Sequence, residues 1–245
     1  MDGRSLLFWT GCFGTFDERI RRVVRAFEEL LLLSGVMMER IDGVCCGDPL
    51  LQVGDVFGFR RKVEENVRVL SGYGRGRIVT ICPHCMDVLK RECDAYADGI
   101  EVMHHSELLC ELLESRRLRS CASSMRATFH DPCILGRRNG IYEEPRRVLV
   151  LSGIDLVEMS RTRQRSLCCG GGGARMWMAE ERERRVEECR FEEALATGAR
   201  YLVTACPYCL VRFDSLAQAR PGRGMYVRDV AEVLLAATQL GGSEV

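Results

Sequence analysis

Four short segments of the chain are continuously apolar or β-branched: 6–9, 78–81, 128–130 and 202–204. Runs of that length without polar alternation belong to strands covered on both faces, as in a parallel sheet. Between them the period changes. Ile20, Val23, Val24, Phe27, Leu30 and Leu31 recur at three-to-four spacing and predict an amphipathic helix over 19–33. The charged stretch 174–197 predicts a long helix stopped by Gly198, and 229–240 predicts a closing helix. Strands alternating with helices predict parallel α/β units, with ligand sites at the C-terminal ends of the strands. The polar stretch 115–125 reads as a linker between domains at 1–120 and 121–245.

Composition changes this picture in one respect. With 245 residues, 47% of them hydrophobic, the chain can bury a sizeable core. Its 35 basic residues balance 35 acidic ones, which argues against a nucleic-acid or membrane-surface binder held by basic excess. The longest aliphatic run, 30–33, is far short of a bilayer span. The N-terminus has no signal-peptide pattern, so the expected location is cytoplasmic. The count out of line is 14 cysteines. In a reducing compartment disulfides explain them poorly and metal binding explains them better.

Their spacing shows that the chain is written twice. Cys12 stands alone, Cys45 and Cys46 are adjacent, and Cys82 and Cys85 form C-P-H-C. Cys133 stands alone, Cys168 and Cys169 are adjacent, and Cys206 and Cys209 form C-P-Y-C. Lone cysteine to pair is 33 and then 35 residues, and pair to C-P-x-C is 36 and then 37. The apolar run before each C-P-x-C repeats as well. A repeat longer than about 120 residues means two copies of a domain, not a solenoid.

Thiolates are soft ligands suited to iron–sulfur clusters and to zinc. A structural zinc takes four tetrahedral ligands. Adjacent cysteines share one zinc poorly, but they can reach different irons of a cluster. A redox dithiol would account for one C-P-x-C, not for two together with two C-C pairs. Cys93, Cys110, Cys121 and Cys189 fall outside the pattern and read as buried structural thiols. Four glycines, 170–173, follow the second pair and lead into the expected helix; Gly47 follows the first pair and precedes Asp48-Pro49. Gly47, Gly170 and Gly171 are candidates to bring backbone N–H groups close to an anionic cluster. His84 and His130 stand beside patterned cysteines and are candidate proton donors, although capping or cluster tuning is the more ordinary role. Arg137 and Arg138 could hold an anionic substrate group, but surface arginines are plentiful here.

The pattern C, then C-C-G, then C-x-x-C resembles the cysteine-rich CCG domain, here in two copies spanning nearly the whole chain. The stretch His130-Asp131-Pro132-Cys133 with Leu135-Gly136-Arg137, and Cys168 on through Met176-Trp177-Met178, is similar to the catalytic CCG subunits related to heterodisulfide reductase. The resemblance implies an α/β fold of two tandem CCG domains, each a small parallel sheet flanked by helices, related by pseudo-two-fold symmetry. It implies one noncubane [4Fe-4S] cluster on Cys12, Cys45, Cys46, Cys82 and Cys85, and a second on Cys133, Cys168, Cys169, Cys206 and Cys209. Zinc in one site is the alternative cofactor. The implied activity is reduction of a small disulfide, of the CoM-S-S-CoB kind, between the two clusters. The alternative is an electron-transfer subunit of another redox complex, serving lactate or glycolate oxidation, sulfur metabolism or a membrane-linked chain. No C-x-x-C-x-x-C-x-x-x-C-P run of a ferredoxin module occurs. The expected partners are therefore a ferredoxin-like iron–sulfur subunit and a flavin-containing subunit, with no nucleic acid and no direct membrane insertion.

Overall fold

The computed structural model describes residues 6–73, 76–93, 100–121, 125–178, 185–220, 222 and 224–239. The strands are β1 (Leu6–Trp9), β2 (Met38–Ile41), β3 (Arg77–Thr80) and β4 (Glu101–His104), then β5 (Arg126–Phe129), β6 (Asp155–Leu156), β7 (Tyr201–Thr204) and β8 (Tyr226–Asp229). They form two four-stranded sheets of order β2-β1-β3-β4 and β6-β5-β7-β8. Every pairing is parallel. The fold is α/β, one sheet design used twice.

The helices are α1 (Gly11–Phe16), α2 (Glu18–Leu33), α3 (Asp48–Gln52), α4 (Val56–Ser71), α5 (Pro83–Val88), α6 (His105–Glu114), α7 (Glu143–Leu151), α8 (Val186–Ala196), α9 (Pro207–Ala219) and α10 (Val230–Gln239). The helix expected over 19–33 is α2. Asp17 caps it by accepting the Ile20 N–H at 3.0 Å, and its apolar positions are buried. The four segments read as strands are the central strands β1, β3, β5 and β7, whose side chains are almost all buried.

One expectation about these elements needs correction. The long helix over 174–197 does not form as one element: residues 175–177 make a single tight turn, and α8 starts only at Val186. Ala174 lies at φ 61° in the left-handed region, and its N–H is bound by Gln52 Oε1 at 2.9 Å. A tertiary contact has overridden local helix propensity, so the glycines 170–173 lead into a loop, not a helix. Residues 179–184 of that segment lie outside the described residues. The linker at 115–125 is tied down where it is described. Arg117 donates to Ser34 O at 3.0 Å, Leu118 is buried, and Ser120 bonds Leu151 O at 2.8 Å.

The halves pack with matched contacts: α2 against α10, and α6 against α7. These pairs exchange under a pseudo-two-fold axis. Polar bonds lock the seam. Arg19 binds both Glu232 carboxylate oxygens at 2.8 Å and the Val227 carbonyl at 3.0 Å. Nε2 of His105 donates to Asp229 Oδ1 at 2.8 Å, and Nδ1 of His105 meets Nε2 of His104 at 3.2 Å. The carbonyls of Ile81 and Ala205, each just ahead of a C-P-x-C motif, face the His104 ring. Among the described residues no helix is long and apolar enough to cross a membrane.

Candidate metal centres

In each sheet, chain connections leave the two central strands in opposite lateral directions, and the crevice beyond their C-terminal ends is where such sheets bind ligands. The cysteines lie there. Cys12 follows β1 and Cys82 follows β3; Cys133 follows β5 and Cys206 follows β7. The adjacent pairs come in on the loops after β2 and β6, the edge strands beside β1 and β5.

All five sulfurs of each half meet. In the first half side-chain hydrogen bonds run Cys12–Cys45–Cys46–Cys85–Cys82. In the second they run Cys133–Cys168–Cys169–Cys209–Cys206, with Cys209 Sγ to Cys169 Sγ at 3.1 Å. The order of contacts is the same in both copies. Among the described residues every cysteine is a free thiol.

The C-C-G turns are built alike. Gly47 N–H donates to Cys45 Sγ at 3.4 Å, and Gly170 N–H donates to Cys168 Sγ at 3.3 Å. Both glycines have positive φ, 97° and 74°. A Cβ on Gly170 would lie 2.6 Å from Glu187 Oε2, and one on Gly47 would lie 3.0 Å from the Phe59 ring. Only glycine fits both the backbone and the space. Gly171 lies against Tyr208 and Arg212. After the glycine the halves diverge, since Gly47 opens α3 whereas Gly170 opens a loop.

The turns set the local electrostatics. The Cys45 thiol is held down to about 3 by hydrogen bonds from Cys12 and Cys46, against burial, with help from Gly47 N–H and Lys62. Cys168 is held down to about 2 by Cys133 and Cys169, again against burial, with help from Gly170 N–H. Burial raises Cys206, but hydrogen bonds from Cys209 and His84 outweigh it and bring the thiol down to about 5. Anionic sulfur in each half, at Cys45 and at Cys168 and Cys206, thus shares protons with its neighbours, a state suited to binding a cation or a cluster.

The middle residue of each C-P-x-C motif crosses to the opposite half. His84 donates from Nδ1 to Asp48 Oδ2 at 2.8 Å on one side and reaches Cys206 on the other. Burial disfavours its charged form, but these two partners hold the imidazole protonated well above the ordinary histidine range. Tyr208 occupies the same position in the second motif and lies against the first cysteine set, lining a small cavity with Cys12, Phe13, Cys46, Cys82 and Cys85. It is 2% exposed. The His84 and Tyr208 rings stack at 4.4 Å between the two sets, with Phe13 at 4.7 Å from Tyr208. The first set also opens to a shallow depression lined by Cys12, Phe13, Phe16 and Asp17.

His130 is fully buried beside the second set and accepts a hydrogen bond at Nδ1 from Arg190 Nε at 3.1 Å. His104 and His105 lie in the seam between the halves. Arg137 bonds the Ser166 carbonyl at 2.7 Å, and Arg138 pairs with Asp87 at 2.9 Å. Of the outlying cysteines, Cys110 is buried, but Cys121 is exposed and Cys189 half-buried, so burial as a group does not hold. The Cys121 N–H bonds the Ala237 carbonyl at 3.2 Å. The Cys93 side chain lies outside the described residues. Sequence reasoning passed over Gln52, Asp48, Tyr208 and Arg190. Asp48, inside the C-C-G-D-P run, and Tyr208, inside C-P-Y-C, carried a local signal; Gln52 and Arg190 carried none.

Residues 6–90 and 127–214 match the model of the CCG cysteine-rich domain. The chain belongs to the CCG family. This CCG chain is 34% identical over 95% of its length to the EtfAB:quinone oxidoreductase of Syntrophomonas wolfei. It is 36% identical over 96% to the probable iron-sulfur-binding oxidoreductase FadF of Bacillus subtilis. Each match covers 34% of the relative, so the chain spans about a third of the length of these curated relatives. A subunit of the dihydromethanophenazine:CoB–CoM heterodisulfide reductase of Methanosarcina acetivorans is 29% identical over 85% of this chain and 53% of its own length. A hypothetical protein from Helicobacter pylori shares the fold at TM-score 0.63 and 10% identity, over 96% of this chain and 49% of that one.

The donor sets fit what the family implies. All ten patterned donors are sulfur, five per half, already in mutual contact and met by backbone N–H groups. Two adjacent cysteines and a fifth thiol exceed what one tetrahedral zinc can use.

Proposed function

We propose that this CCG chain is the two-centre electron-carrying unit of an iron–sulfur oxidoreductase. Each five-thiol set holds one [4Fe-4S] cluster of the noncubane type, and a ferredoxin-like or flavin-containing partner supplies the electrons. Cys12, Cys45, Cys46, Cys82 and Cys85 hold the first; Cys133, Cys168, Cys169, Cys206 and Cys209 hold the second. When bound, such clusters supply one-electron redox chemistry. The observation that carries this reading is the pair of equivalent sulfur sets joined through the His84–Tyr208 stack.

The chain's own residues have definite tasks. Gly47 and Gly170 give N–H donors to sulfur and keep the C-C turns tight. Tyr208 and Phe13 cover the side of the first set that faces the second. His84 holds a proton at Nε2 beside Cys206, with Asp48 fixing the ring. The buried aromatic stack fills the space between the sets, which favours electron passage over a substrate cleft. The relatives named as an EtfAB:quinone oxidoreductase and as a probable iron-sulfur-binding oxidoreductase support the same reading.

Reductive cleavage of a small disulfide between the sets is the second reading, favoured by the relatives named as heterodisulfide reductases. There His84 and His130 would be the nearest imidazoles for proton supply.

Anaerobically reconstituted protein should bind about eight irons and eight sulfides, from two four-iron clusters. Cys45→Ser and Cys169→Ser should each lose one centre and spare the other. Zinc without iron would overturn the assignment. Reduced protein that is reoxidised by an electron acceptor, but forms no thiol from added disulfides, supports the electron carrier; stoichiometric thiol formation supports the second reading instead.

A further inference from the structure

The two sulfur sets are alike in their cysteines and unlike in what surrounds them. The residue following β1 is Thr10, and the residue following β5 is His130. Thr10 is committed away from the sulfurs: its hydroxyl bonds Ile41 O at 3.1 Å and Asp42 Oδ1 at 2.9 Å. His130 is committed toward them. A ring nitrogen of His130 and the Sγ atoms of Cys169 and Cys209 lie within 4.8 Å of one another.

The tautomer follows from the partner. An arginine Nε is always a donor, so Nδ1 of His130, which meets Arg190 Nε at 3.1 Å, is the acceptor. The ring proton therefore sits on Nε2. That atom is fully buried and has no hydrogen-bond partner among the described residues. A protonated Nε2 does not ligate a metal; it is a donor waiting for an acceptor, and the acceptors on that side are sulfurs.

The helices after the C-C-G turns differ in the same sense. In the first half α4 carries neutral Asn66, which donates to Cys45 O at 3.0 Å. In the second half α8 carries Arg190, whose guanidinium is 0% exposed. Glu193 offsets part of that charge at 2.8 Å, and Arg161 O accepts at 2.6 Å, but Nη2 has no partner among the described residues. Lys62, the cation that acts on Cys45 of the first set, is partly exposed and pairs with Glu65 at 2.6 Å, so solvent screens it. Hydrogen bonds to sulfur and nearby positive charge both stabilise the reduced, more negative state of an iron–sulfur centre and raise its potential.

We infer that His130, fixed in one tautomer by Arg190, donates its Nε2–H to the sulfurs of the second set and makes the second centre the higher-potential one of the pair. Electrons accordingly pass from the first half to the second and rest there. Arg190 is a positioning residue that acts through His130. This inference rests on the two-cluster reading above.

The test is a redox titration of anaerobically reconstituted protein followed by electron paramagnetic resonance, with Cys45→Ser and Cys169→Ser assigning each signal to its half. In the wild type the second centre should titrate at the higher potential. His130→Asn places an amide oxygen where Nδ1 was, so Arg190 keeps an acceptor while the N–H toward sulfur is lost. It should shift the reduction equilibrium of the second centre about tenfold toward the oxidised form, ~59 mV for one electron, and leave the first unmoved. His130→Gln, which returns an N–H to the Nε2 position, should recover most of the shift. Arg190→Gln keeps a donor for His130 without the charge, and should lower the second potential even if His130→Asn fails to fold. An unchanged second potential in the variants, an equal shift of both centres, or a higher potential at the first centre overturns the inference. Wild-type protein that takes up no iron overturns the two-cluster reading before any variant is titrated, so the two failures are distinguishable.

Discussion

Removing the Asp229 carboxylate should loosen the seam between the halves by an amount the structure allows to be worked out. Asp229 Oδ1 accepts from His105 Nε2 at 2.8 Å and from the Ala231 N–H at 2.9 Å. Both side chains are almost wholly buried. Asp229→Ala deletes the cap of α10, about 1 kcal/mol. It also leaves an imidazole N–H buried without an acceptor, about 1–3 kcal/mol. The expected loss is therefore ~2–4 kcal/mol. His105→Phe should cost about 2 kcal/mol or more, because the carboxylate then stays buried with only its helix bond. The double variant leaves neither group stranded, so its loss should fall short of the sum by about 1–2 kcal/mol. Urea unfolding of the cluster-free protein at pH 7.5, for wild type and the three variants, measures the cycle. Losses that add to within ~0.5 kcal/mol would refute the coupling across the seam.

Three further outcomes follow from the same geometry. Burial, and then the neighbouring His105, hold His104 well below the ordinary histidine range, so the folded protein keeps it neutral. The unfolded chain binds that proton first, so the contribution is complete above pH ~6.5 and is lost as pH falls from there toward the depressed folded value. The slope is up to about 1.4 kcal/mol per pH unit. His104→Gln should flatten it in urea titrations between pH 7.5 and 5; an unaltered slope would show that another group is responsible. Gly170→Ala forces a side chain into the left-handed region, about 1–2 kcal/mol, and drives its Cβ against Glu187, which pairs with Arg212. It should lose the iron of the second centre alone, and full iron content would contradict the tight-turn argument. Arg146 binds Asp131 at 2.6 and 3.0 Å and Glu158 at 2.6 Å in a buried site beside Cys133. Arg146→Met strands the Asp131 carboxylate, which otherwise accepts only from the Arg163 N–H at 2.8 Å among the described residues, and should cost about 3–5 kcal/mol in urea unfolding; a loss below ~1 kcal/mol would mean that the Arg163 N–H suffices for it.

The amino-acid sequence by itself determined the duplication, the ten patterned cysteines and the four central strands. Each of those strands is covered on both faces, so its apolar run needs no context to be read. Cysteine spacing is legible for a similar reason: only a shared binding site keeps the same order and the same intervals in both copies. The four strands that went unread, β2, β4, β6 and β8, are the edges of the two sheets. Their polar positions, as in Met38–Ile41 and Tyr226–Asp229, break the apolar run because one side faces solvent. The segment after Gly173 looked helical by composition, and only Gln52, 122 residues away in sequence, decided otherwise by capturing the Ala174 N–H. The crossing of His84 and Tyr208 and the hold of Arg190 on His130 belong to the same class. The first arises where two half-chains meet and the second joins α8 to the end of β5 within one half, and a linear pattern carries no record of which side chain will face which at such distances.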